Sequence, residues 1–245
     1  MGEWDEPKGR PDGWATRRLV SGLEVLSLLF SVLLITWGVV PLVPGSHRSL
    51  VLVASIPALL TIGCSMWLRG ERPSDLGLTW GHAQKAARLL ALPTGLSSAI
   101  LLGIGWWAES LHLYDEFARA LLLLPLSGIA QQTILQGVLH RRLREVFPLA
   151  GGETSHPSPL TRQTHWVAIG LTAVFFSLLH APNEPLMGLT LVGGLVWSWV
   201  YDRAPNLPLL GISHGLISLV VICTLPRSLL DSLSVGYKHL LYHAF

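Results

Sequence analysis

Long apolar runs without charge are the feature of this sequence that most constrains its fold. Half of the 245 residues are hydrophobic and only 13% are charged, whereas a soluble domain carries about 25% charged residues. The charges are clustered, so that long uncharged stretches lie between them. About 17 to 25 apolar residues in a helix cross the hydrocarbon core of a bilayer. The sequence therefore predicts an all-α, polytopic transmembrane helical bundle.

Seven stretches are apolar over the length, or nearly the length, of a membrane span. The predicted spans are residues 19–43, 50–68, 86–108, 118–139, 166–181, 186–200 and 207–225. The fifth and sixth are short, so either their flanks contribute or the helices lie partly within the bundle. Residues 229–245 are mixed in character, and an interfacial helix and a partial eighth span both remain open.

Everything after the first 18 residues is predicted to form one helical membrane domain, 19–245. Residues 1–18 are polar and are predicted to form a loop-like tail. The first apolar run is too long for the core of a signal peptide and lacks a clear cleavage site, which indicates an uncleaved anchor. The segment 147–165 contains Gly, Ser and Pro and is predicted to be a flexible loop.

The distribution of Lys and Arg predicts the orientation. With the N-terminus in the cytoplasm, thirteen of the 17 Lys and Arg residues lie inside and four lie outside. This is the positive-inside bias of membrane proteins, and it predicts a multi-pass protein of the cell (inner) membrane. The sequence contains no block of Lys or Arg residues that would indicate nucleic-acid binding. Cys64 and Cys223 provide neither a disulfide framework nor a zinc-finger spacing.

Polar side chains within the predicted spans are the candidate functional residues, because each needs a partner or water at that depth. They are Gln131, Gln132 and Gln136 in the fourth span, His180 in the fifth, and His214 and Ser218 in the seventh. At a rise of about 1.5 Å per residue, each group falls in the middle third of a core about 30 Å thick. A single Gln in a membrane helix usually forms a hydrogen bond that joins two helices. Several polar side chains at the same depth instead predict one buried polar cavity.

Three short motifs carry a resemblance to a known family. Gln131-Gln132-Thr-Ile-Leu-Gln136, Phe176-x-x-x-His180 and His214-x-x-x-Ser218 follow one another on three predicted core helices. The chain resembles the CPBP (Abi) family of intramembrane glutamic-type proteases, which includes CAAX prenyl endopeptidases and bacteriocin-processing or immunity proteins. Members typically show Glu-Glu-x-x-x-Arg, Phe-x-x-x-His and His-x-x-x-Asn. The segment Asp75-Leu-Gly-Leu78 is also similar to one common in the family, and the resemblance covers about residues 70–225.

The resemblance implies that the catalytic positions are occupied by Gln131, Gln132, Gln136, His180, His214 and Ser218. In the family, the Glu of the first motif is the expected general base that activates a water. Burial can raise the pKa of such a carboxylate toward neutrality, which suits it to that role. A Gln amide can hold a water but cannot take its proton. Gln136 replaces the Arg that would compensate a buried carboxylate, so both charges are lost together.

Other sources of reactivity remain open from the sequence. The carboxylates of Glu24 and Glu184 lie near the ends of predicted spans, away from the depth of the cavity. His180 or His214 could act as the base, since imidazole titrates near neutral pH. A metal held by these two histidines is disfavoured, because no His-Glu-x-x-His helix and no third strong ligand is present. No cofactor is expected.

Two functions are consistent with the resemblance. The chain is either an intramembrane endopeptidase that acts on a membrane-embedded or lipidated protein, or a pseudoprotease that keeps the cavity to bind such a partner. In the second case it serves as a binding, immunity or chaperone factor without hydrolysis. A small transporter is disfavoured by the lack of charged coupling residues and of paired interrupted helices. Fold alone does not decide between the first two.

Overall fold

The computed structural model describes residues 12–39, 48–114, 116–148, 165–226 and 235, and the regular structure of these residues is helical, without a strand. The helices are α1 (Asp12–Leu33), α2 (Arg48–Leu68), α3 (Ala83–Trp107), α4 (Phe117–Gln132), α5 (Arg141–Val146), α6 (Trp166–Leu178), α7 (Glu184–Arg203) and α8 (Leu207–Thr224). A π-helical turn, Leu34–Val39, extends α1, and a π-helical segment, Thr133–His140, joins α4 to α5.

Within this part of the chain, four helical stretches are long and apolar enough to cross a bilayer. They are Ala15–Gly38, Ala83–Trp107, Phe117–Val146 and Leu207–Thr224. Leu59–Leu68 and Trp166–Leu178 are shorter apolar helices. Large apolar side chains such as Phe30 on α1 and Leu92 and Trp106 on α3 are exposed, as a lipid-facing surface requires. The prediction of an all-α membrane bundle is confirmed.

Two predicted boundaries were wrong. The segment 12–18 was expected to be loop-like, but α1 begins at Asp12, because Arg17 pairs with Glu145 and Arg18 donates to the carbonyl of Val146. Through these contacts, polar side chains in the first turns of α1 find partners, although these turns precede the apolar run. The fifth span was expected to reach residue 181, but α6 ends at Leu178 and His180 lies in the following turn. Residues 1–11, 149–164 and 236–245 lie outside the described part, and with them most of the predicted loop and C-terminal segment.

Backbone contact between α4 and α8 forms the centre of the bundle. A methyl group on Gly128 would lie 2.3 Å from the carbonyl oxygen of Gly211, and one on Gly215 would lie 2.4 Å from the backbone nitrogen of Pro125. Neither position has room for a side chain. Small residues at a spacing of four let membrane helices approach this closely, so Gly211 and Gly215 hold α8 directly against α4.

The segment 75–78 is anchored beneath the connection between α7 and α8. Leu76 is 1% exposed, and the Tyr201 hydroxyl donates to its carbonyl at 2.8 Å. The backbone N–H of Leu207 donates to the carbonyl of Gly77, also at 2.8 Å. Gly77 has a φ of +89°, a left-handed conformation that suits glycine. The loop before α3 is therefore fixed to the two helices that carry part of the candidate site.

Five ionised side chains, which we call the ionic cluster, connect α1, the end of α2 and α5. They are Glu24, Arg69, Glu71, Arg142 and Glu145. Arg142 is 1% exposed and donates both terminal nitrogens to Glu71 at 2.7 Å, a bidentate pair. Its Nε lies 2.6 Å from Glu24, while Arg69 pairs with Glu24 at 2.9 Å and with Glu145 at 2.8 Å. The cluster defines the charged end of the bundle.

Candidate active site

A direct contact between Gln132 and His214 lies at the centre of the candidate site. The Nε2 of Gln132 donates to Nδ1 of His214 at 3.2 Å. Gln132 is fully buried and His214 is 9% exposed. Gly128 lies one turn before Gln132, and Gly211 and Gly215 flank His214, so the backbone contact of α4 with α8 brings these two side chains together. Because Nδ1 of His214 accepts this hydrogen bond, a neutral His214 carries its proton on Nε2.

Aromatic rings fix the imidazole of His214 on its other sides. Trp197 of α7 stacks on it, with ring centroids 4.6 Å apart and planes inclined by 18°. Phe176 of α6 meets it edge-on at 5.8 Å. The indole Nε1 of Trp197 donates to Ser213 at 3.2 Å, and the Ser213 hydroxyl bonds Thr94 of α3 at 2.8 Å. A hydrogen bond to Ser213 of α8, which is itself bonded to α3, thus holds the indole ring that stacks on His214.

His180 enters the same group through Phe176. Its ring lies 5.0 Å from Phe176, edge-on, and its Nδ1 donates to the carbonyl oxygen of Phe176 at 2.8 Å. A neutral imidazole that donates through Nδ1 has its lone pair on Nε2. His180 is half-buried, and the turn after α6 leads into Asn183, whose side chain caps α7 by accepting from Leu186. His180 and His214 therefore contact neighbouring parts of one ring.

Gln136 lies one turn beyond Gln132, within the π-helical segment. It is fully buried, and its Nε2 donates to the hydroxyl of Ser198 on α7 at 3.0 Å. The oxygen atoms of both amides, Oε1 of Gln132 and Oε1 of Gln136, are buried without a hydrogen-bond partner among the described residues. π-Helical turns are common at functional sites, and this one presents Gln136 to α7.

The structure does not bring two of the sequence-predicted residues into these contacts. Gln131 is exposed, and its amide donates to Ser127 of the same helix at 3.2 Å. Ser218 is half-buried on α8, and no hydrogen bond joins it to Gln132, His180 or His214 within the described part. The contacts that carry the site are therefore those of Gln132, Gln136, His180 and His214.

Neither His180 nor His214 has a hydrogen bond or an ion pair with a carboxylate among the described residues. Glu24 is engaged by Arg69, Arg142 and Ser65 in the ionic cluster. Glu184 is exposed in the first turn of α7. The described residues also contain no group of three or more His, Cys, Asp or Glu side chains placed to hold a metal ion. The groups around His214 are amide and aromatic, and neither takes up a proton near neutral pH.

Comparison with protein families finds the same relationship that the motifs suggested. Residues 114–220 match the family model described as Rce1-like, type II CAAX prenyl endopeptidase. This segment, less than half of the 245 residues, is similar to that family. The matched segment, which we call the Rce1-like segment, contains α4 to α7, α8 as far as Val220, and all six sequence-predicted site residues. The predicted resemblance to CAAX protease-like proteins is confirmed over these residues, whereas no curated protein and no solved structure matches the chain.

Sequence reasoning missed several groups that surround the candidate site. Trp197, Ser198 and Ser213 carry no family motif, and their roles follow from contacts between helices. The glycines did provide a signal, since the spacing of Gly211 and Gly215 is the small-residue pattern of closely packed membrane helices. His140 and Asp202 are buried polar residues as well. Sequence reasoning did not select them, because they lie near the ends of predicted spans.

Proposed function

We propose that this chain is a homologue of the CAAX-type intramembrane proteases that binds a membrane-embedded or lipidated protein and does not hydrolyse it by the carboxylate route. The observation that carries the proposal is the hydrogen bond from the Gln132 amide to His214. A glutamate at this position could accept a proton from a water, whereas the amide directs an N–H at the imidazole. The contact therefore contains no carboxylate that could act as the general base.

The surroundings of the site support a retained binding cavity. Phe176, Trp197 and the close contact of α4 with α8 surround the imidazole of His214 with packed groups. Fixed apolar walls with a few polar groups are typical of ligand sites. Half-buried His180 gives a ligand access to the polar groups. A pseudoprotease with a binding, immunity or chaperone role accounts for this combination.

One observation favours a second candidate, a hydrolase that works without a carboxylate. His180 donates through Nδ1 to the Phe176 carbonyl, which leaves its Nε2 lone pair available. A neutral imidazole nitrogen can take a proton from water near neutral pH. In this mechanism His180 is the base, and the amide of Gln132 orients the water.

The experiment that separates the two candidates uses purified protein in lipid nanodiscs with a prenylated CAAX-type peptide. We expect binding of the peptide without cleavage, measured by fluorescence anisotropy and mass spectrometry on the same samples. Cleavage by the wild type that His180→Ala abolishes would establish the second candidate instead. Absence of both binding and cleavage, with this peptide and with an unprenylated membrane helix, would contradict both.

The placement in the membrane is part of the proposal. We infer a multi-pass arrangement in the cell membrane with a cytoplasmic N-terminus. Arg17 and Arg18 of α1, Arg69 after α2, and Arg142 of α5 lie at one end of the bundle. The sequence assigns all four to the cytoplasmic side, and the observed ion pairs support that common assignment.

A further inference from the structure

Four buried polar residues extend along the helix from the candidate site toward the charged end of the bundle. Gln132, Gln136 and His140 follow one another at intervals of four residues, which keeps them on one side of the helix, and Asp202 of α7 lies next to His140. Gln132, Gln136 and His140 are fully buried, and Asp202 is 5% exposed. We call these four residues the polar file.

Each residue of the polar file uses one polar atom on a protein partner. Gln132 donates to His214, and Gln136 donates to Ser198. Thr172 of α6 donates its hydroxyl hydrogen to the carbonyl of Ala168, so it accepts from Nδ1 of His140, at 3.1 Å. Asp202 accepts from the backbone N–H of His165 through Oδ2 at 3.5 Å. The file is thereby anchored to α6, α7 and α8.

Each residue of the polar file also has one buried atom without a hydrogen-bond partner in the described part. These atoms are Oε1 of Gln132, Oε1 of Gln136, Nε2 of His140 and Oδ1 of Asp202. Nε2 of His140 and Oδ1 of Asp202 lie 3.7 Å apart, and Oδ1 lies 3.4 Å from NH1 of Arg144. A polar separation beyond about 3.5 Å is typical of a bridging water. Unpartnered polar groups are rare inside proteins, and buried water bonds most of those without a protein partner.

We propose that the polar file binds a row of ordered water molecules that connects the charged end of the bundle to the Gln132–His214 contact. Water at each vacant acceptor satisfies a group that lipid and apolar side chains cannot satisfy. Arg144 is about one-third exposed and lies against Asp202, so that end of the row meets solvent. The proposal does not depend on whether the site binds or cleaves a partner.

Water-edited solid-state NMR on the full chain in lipid bilayers tests the proposal. The amide nitrogens of Gln132 and Gln136 and the ring nitrogens of His140 are expected to receive magnetisation from water severalfold faster than the indole nitrogen of Trp197. Trp197 is the internal reference because its N–H is buried and bonded to Ser213. Transfer to the three residues at the slow rate of Trp197 would overturn the proposal without any variant.

Two variants locate the row of water. Gln136→Met removes the central acceptor while keeping an unbranched side chain, and it is expected to abolish the fast transfer to Gln132. Gln131→Met is the matched control, since Gln131 is exposed and bonded to Ser127 outside the file, and it should leave that transfer unchanged. Retention of fast transfer to Gln132 in Gln136→Met would show that its water comes from the His180 side, which contradicts the connection.

Discussion

At the scale of single residues, the proposed site differs from that of a glutamic protease because it lacks the carboxylate that acts as the general base. Gln132, His180 and His214 lie where three family motifs meet, and the Rce1-like match covers all three. The amides of Gln132 and Gln136 donate to His214 and Ser198 without any compensating Arg or Glu. A neutral pair avoids the desolvation penalty that a charged pair would incur at this depth. The loss of both charges is therefore internally consistent.

The first prediction restores those charges. Gln132→Glu alone places a carboxylate at a fully buried position, and we expect a loss of roughly 3–5 kcal/mol if the charge stays unpaired. The triple variant Gln131→Glu, Gln132→Glu, Gln136→Arg supplies a counter-charge one turn away, so it should recover most of the thermal stability and gain cleavage of a model membrane peptide. Gln131→Glu alone, at the exposed position of Gln131, measures the separate cost of the second carboxylate at this depth. A triple variant less stable than Gln132→Glu would refute the pairing.

At the scale of helices, the Gly-mediated contact of α4 with α8 determines the geometry of the site. Gly215→Ala places a methyl 2.4 Å from the backbone of Pro125, so the helices must separate. Overpacking of this kind costs about 1–3 kcal/mol, and the Gln132–His214 hydrogen bond should lengthen with it. We expect a lower Tm and a changed His214 ring signal in NMR.

Gly188→Ala is the matched control for the helix contact, because a methyl at Gly188 meets nothing within 4 Å. Alanine is the better helix former by roughly 0.5–1 kcal/mol, so this variant should keep or raise the Tm. Equal losses of stability in Gly188→Ala and Gly215→Ala would show that the close approach is not what holds the site.

The helices themselves were largely predictable, because apolar length reports directly on membrane burial. The π-helical segment after Gln132 and the early end of α6 were not predictable, since both accompany individual side-chain hydrogen bonds that the sequence pattern does not reveal. Gln136 reaches Ser198, and His180 turns back to the carbonyl of Phe176. The exposed position of Gln131 could not be read from spacing either, because a helical period gives relative angles and not the direction of the cavity.

At the scale of the whole molecule, the ionic cluster couples α1 and α2 to the Rce1-like segment. Glu71 lies in the loop after α2 and binds Arg142 of α5. Burial alone would raise the pKa of Glu71, but the hydrogen bonds and charge of Arg142, with the charges of Arg141 and Arg69, outweigh it and lower that pKa. A carboxyl whose pKa is lower in the folded state stabilises the fold above its unfolded pKa.

The first prediction at this scale follows from that sign. Stability should fall as acid pH protonates Glu71, from its ordinary carboxyl range downward through its lowered pKa. Glu71→Gln should lose stability at neutral pH and show a weaker dependence of Tm on pH between about 5 and 3. Glu116→Gln is the control, because Glu116 forms an exposed pair with Arg119. A Tm profile of Glu71→Gln parallel to that of the wild type would contradict the role of Arg142.

The last prediction concerns the orientation of the entire bundle. Thirteen of 17 Lys and Arg residues are assigned to one side of the membrane, and the ionic cluster brings α1, α2 and α5 together at that side. In a background with Cys64→Ser and Cys223→Ser, an impermeant thiol reagent should leave Ser158→Cys unlabelled in intact cells and label it after lysis. Ser158 itself lies outside the described residues, so the test reads topology and not local structure. Arg48→Cys, on the opposite side by the same assignment, is the positive control. Labelling of Ser158→Cys before lysis would show that the bundle has the opposite orientation. Its charged end, with the proposed entrance for water, would then lie outside the cell.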